Sequence, residues 1–194
     1  MAHTHLIEIP KEREEIFQGR VLHVVRDTVI LPNGSESTRE VCLHGGAVAV
    51  IPLLSTGEVL MERQYRHAHG RVMWEIPAGK LEMGEDADPL SAAKRELREE
   101  TGAVAEKYTD LGVLIPSPAV LSERIFMYLA EDISIQERDL DADEFLDVER
   151  VPLAELYREV MEGRISDSKT QIAILKAVAL RGEKCGIGLT NGKK

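Results

Sequence analysis

The residues best suited to chemistry are three glutamates in the middle of the chain. Glu96, Glu99 and Glu100 are spaced i, i+3 and i+4, so on a helix they share one face. Like charges at this spacing repel one another unless a positive charge lies among them. Oxygen ligands suit hard divalent cations, so the spacing favours a Mg²⁺ site, with Mn²⁺ as a substitute. The alternative interpretation is a solvated acidic helix face.

The stretch that contains these glutamates carries strong signals for one helix. Asp88 can cap its start, Pro89 suits the first helical position, and Gly102 suits the left-handed residue that ends it. A narrow apolar stripe would pack this helix against a sheet, and it consists of Leu90, Ala93 and Leu97. Further carboxylates crowd the preceding loop: Glu82, Glu85, Asp86 and Asp88. The helix therefore packs by one face and offers carboxylates from another.

Two arginines upstream could bind an anion. Arg63 and Arg66 lie three residues apart, and a guanidinium group makes bidentate hydrogen bonds to phosphate oxygens. This pattern indicates a phosphate clamp, and the alternative is ordinary surface charge. Trp74 follows shortly, and we interpret it as a packing residue rather than a platform for a ligand.

Around these residues the pattern predicts strands and two further helices. Strands are predicted by β-branched or apolar runs between turn signals, at 21–31, 38–44, 46–54, 58–66, 108–115, 120–130 and 145–151. The run 46–54 is apolar throughout, as in a strand buried on both faces. Residues 12–19 are short and charged, and we assign no element to them. Residues 131–144 are expected to form a long acidic loop.

The two remaining helices lie near the end of the chain. Pro152 opens one that runs to about residue 162, with an apolar side made of Leu153, Leu156 and Val160. Ser166 or Asp167 caps the last, for which we predict an inward side of Ile172, Leu175 and Ala179. With no internal repeat and no low-complexity linker, one α/β/α domain is favoured over two.

Bulk composition excludes several classes of protein. The 34 acidic and 24 basic residues give a net charge of −10, which argues against coating of nucleic acid. No run approaches the roughly 18 apolar residues of a membrane span, and the first residues lack a signal-peptide core. Cys42 and Cys185 show no pairing or metal-binding pattern. We therefore expect a cytoplasmic protein with neither nucleic acid nor membrane as partner.

The acidic stretch resembles the signature box of the Nudix hydrolases. That pattern is G-x5-E-x7-R-E-U-x-E-E-x-G-U, with U a bulky aliphatic residue, and it is matched by Gly79, Glu85 and the run from Arg95 to Gly102. The chain departs from it twice. Nine residues rather than seven separate Glu85 from Arg95, and Ala103 replaces the last aliphatic residue. Since the helix keeps its length, we place the two extra residues in the loop, at 86–87.

Other segments look like the ADP-ribose pyrophosphatase branch of that family. They are Gly-Ala-Val-Ala-Val at 46–50, Arg-Gln-Tyr-Arg at 63–66, Trp-Glu-Ile-Pro-Ala-Gly at 74–79, and Pro118. The resemblance covers roughly residues 20–180. It implies an α/β (α+β) fold, an α/β/α sandwich with a mixed central sheet and an N-terminal β-hairpin region. We expect N-terminal strands over 1–45, a Nudix domain over 46–182 and a flexible tail over 183–194.

The resemblance also implies roles for the residues. Glu96 and Glu100, assisted by Glu99, would hold Mg²⁺ together with the backbone carbonyl of Ala78. Glu144, within an acidic motif at 141–145, would orient or deprotonate water, and Glu99 is assigned to catalysis with it. Structural roles in the box fall to Gly79, Glu85, Arg95 and Gly102, with Glu85 bracing Arg95. Arg66, with Arg63 and Gly79, would contact the substrate.

The implied reaction is hydrolysis of ADP-ribose to AMP and ribose 5-phosphate. The substrate class is a small nucleoside diphosphate derivative, and enzymes of this branch are commonly homodimers whose N-terminal strands help to bind the nucleotide. Two alternatives stay open. One is a hydrolase of other nucleotide sugars such as GDP-mannose, and the other is a catalytically silent Nudix domain that senses a nucleotide. The intact carboxylates of the helix argue against the second.

Overall fold

The computed structural model describes residues 3–82, 85–140 and 144–182, without the side chain of Asp86. The predicted tail from 183 onward, Cys185, Asp141 and Asp143 lie outside the described residues. The chain divides into two compact units. One comprises Met1–Gly46 with Ile115–Arg124, and the other comprises Ala47–Leu114 with Ile125–Lys194. The domain boundaries expected above stay a prediction, and a linear division would not assign 115–124 to the first unit.

The first unit contains a three-stranded antiparallel sheet. Its strands are β1 (Ile9–Gln18), β2 (His23–Ile30) and β3 (Glu36–Leu43), in the order β1-β2-β3. The hairpin predicted over 21–44 is confirmed by β2 and β3. Strand β1 was not predicted, because all ten of its residues are exposed and its sequence therefore lacks alternation. Backbone pairing with β2 and cross-strand ion pairs, such as Arg13 with Asp27, hold it in place.

The second unit is built from two sheets and three helices among the described residues. The strands are β4 (Ala47–Pro52), β5 (Glu58–Arg66), β6 (Arg71–Glu75), β7 (Ala78–Lys80), β8 (Ala103–Leu114), β9 (Ile125–Ile135) and β10 (Leu146–Pro152). The helices are α1 (Pro89–Thr101), α2 (Leu153–Met161) and α3 (Ser168–Arg181). One sheet has the order β7-β4-β9-β8 and the other β10-β5-β6. The first sheet is mixed, since β4 and β9 are parallel while the other pairs are antiparallel.

Strand β4 lies at the centre of the unit and is buried along its whole length, as predicted. On one face Ala49 and Ile51 pack in a core with residues of α2 and α3. On the other face Val48 and Val50 pack with apolar residues of α1. Helices thus cover both faces of this sheet, and the predicted α/β/α layering is confirmed.

The ends of α1 follow the sequence signals closely. The Asp88 side chain accepts a hydrogen bond from the Ser91 backbone N–H, Pro89 is at the first helical position, and Gly102 is left-handed with φ 71°. A Cβ at Gly102 would also lie 2.3 Å from the Gln136 carbonyl oxygen, so glycine is required there. Ala93 and Leu97 of the predicted stripe are buried, and Ala92 joins them.

Several predictions about secondary structure were wrong. Strand β8 begins at Ala103 rather than at 108. Strand β9 begins at Ile125 rather than 120 and continues to Ile135, into the region assigned to the acidic loop. The inward side of α3 is formed by Ala173, Ile174, Ala177 and Val178, whereas Leu175 and Ala179 are exposed. Helix α3 carries apolar residues around most of its circumference, so periodicity alone does not select a face. In α2, by contrast, Leu153, Leu156 and Val160 are buried as predicted.

No helix within residues 3–82, 85–140 and 144–182 is long and apolar enough to cross a bilayer.

Candidate active site

Helix α1 directs two of its three glutamates toward the sheet. Glu100 is only 3% exposed, and its Oε2 accepts a hydrogen bond of 3.0 Å from the backbone N–H of Ala78 in β7. The Glu96 side chain is 12% exposed, whereas that of Glu99 is 29% exposed. Spacing i, i+4 places Glu96 and Glu100 on the packed side of the helix. The predicted ligands Glu96, Glu100 and Ala78 are therefore neighbours.

Gly79 lets the helix approach β7 closely. A Cβ atom at this position would lie 1.9 Å from Cδ of Glu96 and 2.0 Å from its Oε1. No side chain fits in that space, so glycine is required for the Glu96 carboxylate to occupy it. The first glycine of the box thus has a direct physical role beside a candidate ligand.

Arg95 ties the preceding loop to the helix. Its Nε and Nη2 donate to the two oxygens of Glu85 at 3.2 and 3.1 Å, and its Nη1 donates to Glu99 Oε2 at 3.0 Å. The same Nη1 lies 3.0 Å from Glu96 Oε1. The hydrogen bonds from Arg95 lower the pKa of Glu85. The two extra residues of the box belong to a 3-10 turn, Glu85–Ala87, and leave this contact intact.

The carboxylates on the packed side of α1 interact unfavourably. Burial raises the pKa of Glu96 to about 7, against the opposing charge of Arg95, and Glu99 and Glu144 raise it further. Burial also raises the pKa of Glu100, with added repulsion from Glu62, Glu96 and Glu144. The charge of Glu144 therefore acts on both candidate ligands, and its role in activating water stays a prediction. A cation among these groups would remove the repulsion.

Glu62 on β5 is a member of this cluster that the sequence interpretation missed. It is 3% exposed, and its Oε1 is buried without a hydrogen-bond partner among the described residues. Burial raises its pKa, and so do the charges of Glu75 and Glu144. One signal was available: Glu62 follows Val59-Leu60-Met61 directly and shares a strand face with the buried Leu60.

A second buried network lies beside Glu62. Glu75 stands opposite Glu62 in the pairing of β5 with β6, and Arg66 donates to both of its oxygens, at 2.7 and 2.9 Å. Buried Lys169 of α3 also donates to Glu75, and lies 3.2 Å from Asp167. Burial opposes ionisation of Glu75, but these hydrogen bonds and charges lower its pKa to about 2.

Arg63 and Arg66 lie on different faces of β5. Residues 62, 64 and 66 share a face in this regularly paired strand, so Arg66 lies on the side of Glu62 and Arg63 on the other. Arg63 donates to Glu149 at 2.7 Å and stacks over Trp74 with its guanidinium carbon 4.4 Å from the ring centroid. Trp74 packs against the core, in agreement with its prediction as a packing residue.

The donors present suit a hard divalent cation, although they form no closed cage. In the parts of the chain that the structure describes, no three Asp, Glu, His or Cys side chains lie close enough together to hold a metal ion by themselves. Mg²⁺ commonly takes one or two carboxylates and fills its other positions with water and substrate phosphate oxygens. Half-buried Glu96 and buried Glu100 fit that mode of binding, together with the Glu62 oxygen that has no hydrogen-bond partner among the described residues.

Comparison with known proteins shows the family. The NUDIX domain model matches residues 43–170, and the model of the nucleoside diphosphate sugar hydrolase N-terminal domain matches residues 11–42. The chain belongs to the Nudix family and is a Nudix hydrolase.

Relatives match over most of the chain. The ADP-ribose pyrophosphatase of Bacillus subtilis (strain 168) is 42% identical over 164 residues, which are 84% of this chain and 88% of that protein. A methanol dehydrogenase activator of Bacillus methanolicus is 45% identical over 163 residues, 83% of this chain and 87% of that protein. A crystal structure of an ADP compounds hydrolase has a TM-score of 0.79, covering 89% of this chain and 94% of its own. At 22% identity, that likeness shows the fold alone.

Proposed function

We propose that this protein hydrolyses the pyrophosphate bond of ADP-ribose to give AMP and ribose 5-phosphate, in a reaction that requires Mg²⁺. One observation carries the proposal: half-buried Glu96 and buried Glu100 lie on the packed side of α1, and the charge of Glu144 acts on both. The 42% identical ADP-ribose pyrophosphatase supports the choice of substrate. Water adds across the P–O–P bond, and each product keeps one phosphate.

Glu96, Glu100 and the carbonyl of Ala78 would hold the cation, with Glu99 assisting. When bound, Mg²⁺ polarises the phosphoryl oxygens and lowers the pKa of water in its shell. The protein chain fixes the positions of these candidate ligands. Ala78 is fixed beside Glu100 by its own N–H, and Gly79 leaves room for Glu96. Glu144 would orient the attacking water and accept its proton.

Arg66 is the better candidate of the two arginines for binding the diphosphate. Glu75 takes two of the five N–H donors of its guanidinium group, and holds it in a fixed orientation. The other donors can bind phosphate oxygens, and the Arg66 side chain is 38% exposed. Arg63 faces away from the carboxylate cluster and is paired with Glu149.

A panel of substrates tests this function against its rivals. The purified protein is incubated with ADP-ribose, GDP-mannose, a dinucleotide and other nucleoside diphosphate derivatives, with and without Mg²⁺, and phosphate is released by a coupled phosphatase. We expect turnover of ADP-ribose above the others, and only with the metal. A preference for GDP-sugars would contradict the assignment of ADP-ribose as substrate and leave the assignment as a pyrophosphate hydrolase unchanged. Absence of turnover on the whole panel would leave the nucleotide-sensing alternative.

We also propose that the protein acts as a homodimer through its N-terminal strands. Strand β1 is exposed along all ten residues, and these include the large apolar side chains of Ile9, Ile16 and Phe17. An exposed edge strand offers backbone groups that a second copy can pair with. Light scattering should give twice the chain mass, and the single mass of 21.6 kDa would contradict the proposal.

A further inference from the structure

Glu62 is a buried carboxylate that the signature box does not include. It extends from the middle of β5, and its Oε1 has no hydrogen-bond partner among the described residues. A buried acceptor that carries charge is costly unless a donor or a cation reaches it.

The cations near Glu62 are bonded to other carboxylates. Arg66 donates to both oxygens of Glu75, and Lys169 contacts Glu75 and Asp167. The charge of Lys169 favours ionised Glu62, but no hydrogen bond joins the two among the described contacts. Glu75 therefore accepts hydrogen bonds from two cations, whereas Glu62 accepts none from either among the described contacts.

Glu62 faces the helix that carries the candidate ligands. Its strand neighbour on the same face, Leu60, packs with Leu97 in the core beneath α1. The charge of Glu62 acts on Glu100, which is buried to the same degree. The Ala78 N–H binds one oxygen of Glu100, which leaves the other oxygen available to a cation. Glu62 and Glu100 are thus two buried carboxylates whose charges repel each other.

We propose that Glu62 belongs to the divalent-cation site, where its Oε1 accepts a hydrogen bond from a water molecule in the shell of the cation held by Glu100. This inference rests on the proposed metal-dependent function. A contact through water agrees with the absence, in the described residues, of three side chains close enough to coordinate one ion directly. Mg²⁺ retains several waters, and outer carboxylates orient the groups bound to a metal. Glu62 is a positioning residue in this arrangement.

Cation binding without substrate tests the inference independently of catalysis. Mn²⁺ is titrated into metal-free protein, and free Mn²⁺ is measured by electron paramagnetic resonance. Glu62→Gln keeps the shape of the side chain and removes its charge, and Glu62→Leu removes its hydrogen bonding as well. Both should weaken Mn²⁺ binding about tenfold. Glu58→Gln is the matched control on the same strand; Glu58 bonds to the Thr56 hydroxyl, and binding should stay within twofold of wild type.

Thermal melting separates this role from a purely structural one. In the presence of a chelator, both Glu62 variants should melt no lower than wild type, because a repulsive buried charge has been removed. The increase in melting temperature caused by Mn²⁺ should be smaller in the variants. If Glu62 only balances Lys169, the variants will melt lower in chelator and bind Mn²⁺ like wild type, which overturns the inference.

Mn²⁺ binding and ADP-ribose hydrolysis together separate failure of the inference from failure of the proposed function. If wild type binds Mn²⁺ and hydrolyses ADP-ribose while both variants bind the ion within twofold of it, the inference fails and the proposed function stands. If wild type binds no Mn²⁺, both fail. Should one variant not fold, the other provides the comparison.

Discussion

Gly79 and Glu96 are in such close contact that a single added methyl group cannot be accommodated between them. A Cβ at residue 79 would lie 1.9 Å from the carboxyl carbon of Glu96. The atoms that such a Cβ would meet are the carboxylate of Glu96, at the end of a flexible side chain, and not backbone atoms. The clash would therefore be relieved by a movement of this carboxylate. The contact therefore joins the shape of β7 to the placement of a candidate metal ligand.

Gly79→Ala is expected to inactivate the enzyme without unfolding it. The new methyl group displaces the Glu96 carboxylate by an ångström or more, and a displacement of about 1 Å can reduce a rate roughly a hundredfold. Steady-state kinetics at saturating Mg²⁺ and a thermal melt measure the two effects. Gly45→Ala is the control, since a Cβ there meets nothing within 4 Å. Nearly unchanged turnover in Gly79→Ala would show that Glu96 does not need its observed position.

Glu100→Gln should reduce turnover by orders of magnitude with little loss of folding stability. The amide oxygen of Gln can still accept the Ala78 N–H, so the packing of α1 on β7 is retained. The change removes a buried negative charge that Glu62 and Glu96 oppose, and it removes a ligand of the cation. Turnover and Mn²⁺ affinity should both fall. If activity survives nearly intact, the assignment of Glu100 as a ligand is wrong.

Glu144→Gln tests the group that activates water. Loss of a general base costs typically about 10²- to 10⁴-fold in rate, whereas the ligands of the cation remain. We therefore expect a large fall in kcat with Mn²⁺ affinity close to that of wild type. Glu149→Gln is the comparison, because Glu149 pairs with Arg63 on the other face of the sheet. Unchanged kinetics in Glu144→Gln would move the role to another acid of the same region.

The parts of the fold that the sequence predicted are those set by local interactions. The ends of α1 depend on the Asp88 cap, Pro89 and the left-handed Gly102, each of which acts within a few residues. Strand β4 is predictable because a short apolar run between turn signals is typical of a strand buried on both faces. The three glutamates of α1 stand out by their spacing along one helix, whereas the roles of Ala78, Glu85 and Glu144 are implied only by the resemblance to the Nudix hydrolases.

The features of the fold and the site that could not be predicted from the sequence depend on contacts between distant segments. Glu62 and Glu100 interact although they lie on different elements, because Leu60, on the same face of β5 as Glu62, packs in one core with residues of α1. Strand β1 is formed by backbone pairing with β2, and its side chains do not alternate between buried and exposed positions. Arg63 and Arg66 looked like one clamp in sequence, and strand geometry separates them onto two faces.

Arg66→Lys and Arg63→Lys form a matched pair that tests this separation. Lysine keeps the positive charge but cannot make the bidentate hydrogen bonds of a guanidinium group. Arg66→Lys should lower kcat/KM for ADP-ribose about tenfold, the value of roughly one charge-assisted hydrogen bond. Arg63→Lys should lower it less than twofold, since its contacts are with Glu149 and Trp74. Equal losses in the two variants would contradict the assignment of Arg66 alone to the diphosphate.

Glu75 should make stability depend on pH in the acid range. Its pKa of about 2 in the folded protein lies below the ordinary value of 4.5, because Arg66 and Lys169 outweigh the effect of burial. Ionised Glu75 therefore stabilises the fold above pH 4.5, and this stabilisation is lost as the pH falls from about 4.5 to about 2. Urea unfolding of wild type across that interval should show a decrease in the free energy of unfolding.

In Glu75→Gln the free energy of unfolding should fall less steeply with decreasing pH, because up to one fewer proton is taken up on unfolding. The variant should also be less stable than wild type at pH 7. Removal of one partner leaves Arg66 and buried Lys169 without their shared carboxylate, a change that typically costs about 3–5 kcal/mol. Lys169→Met removes only one of the two cations, so it should raise the pKa of Glu75 and move the loss of stability to higher pH. Because other carboxylates titrate in all three proteins, the difference between the curves is the measurement. Parallel curves for wild type and Glu75→Gln would show that the buried ion pairs do not control acid stability.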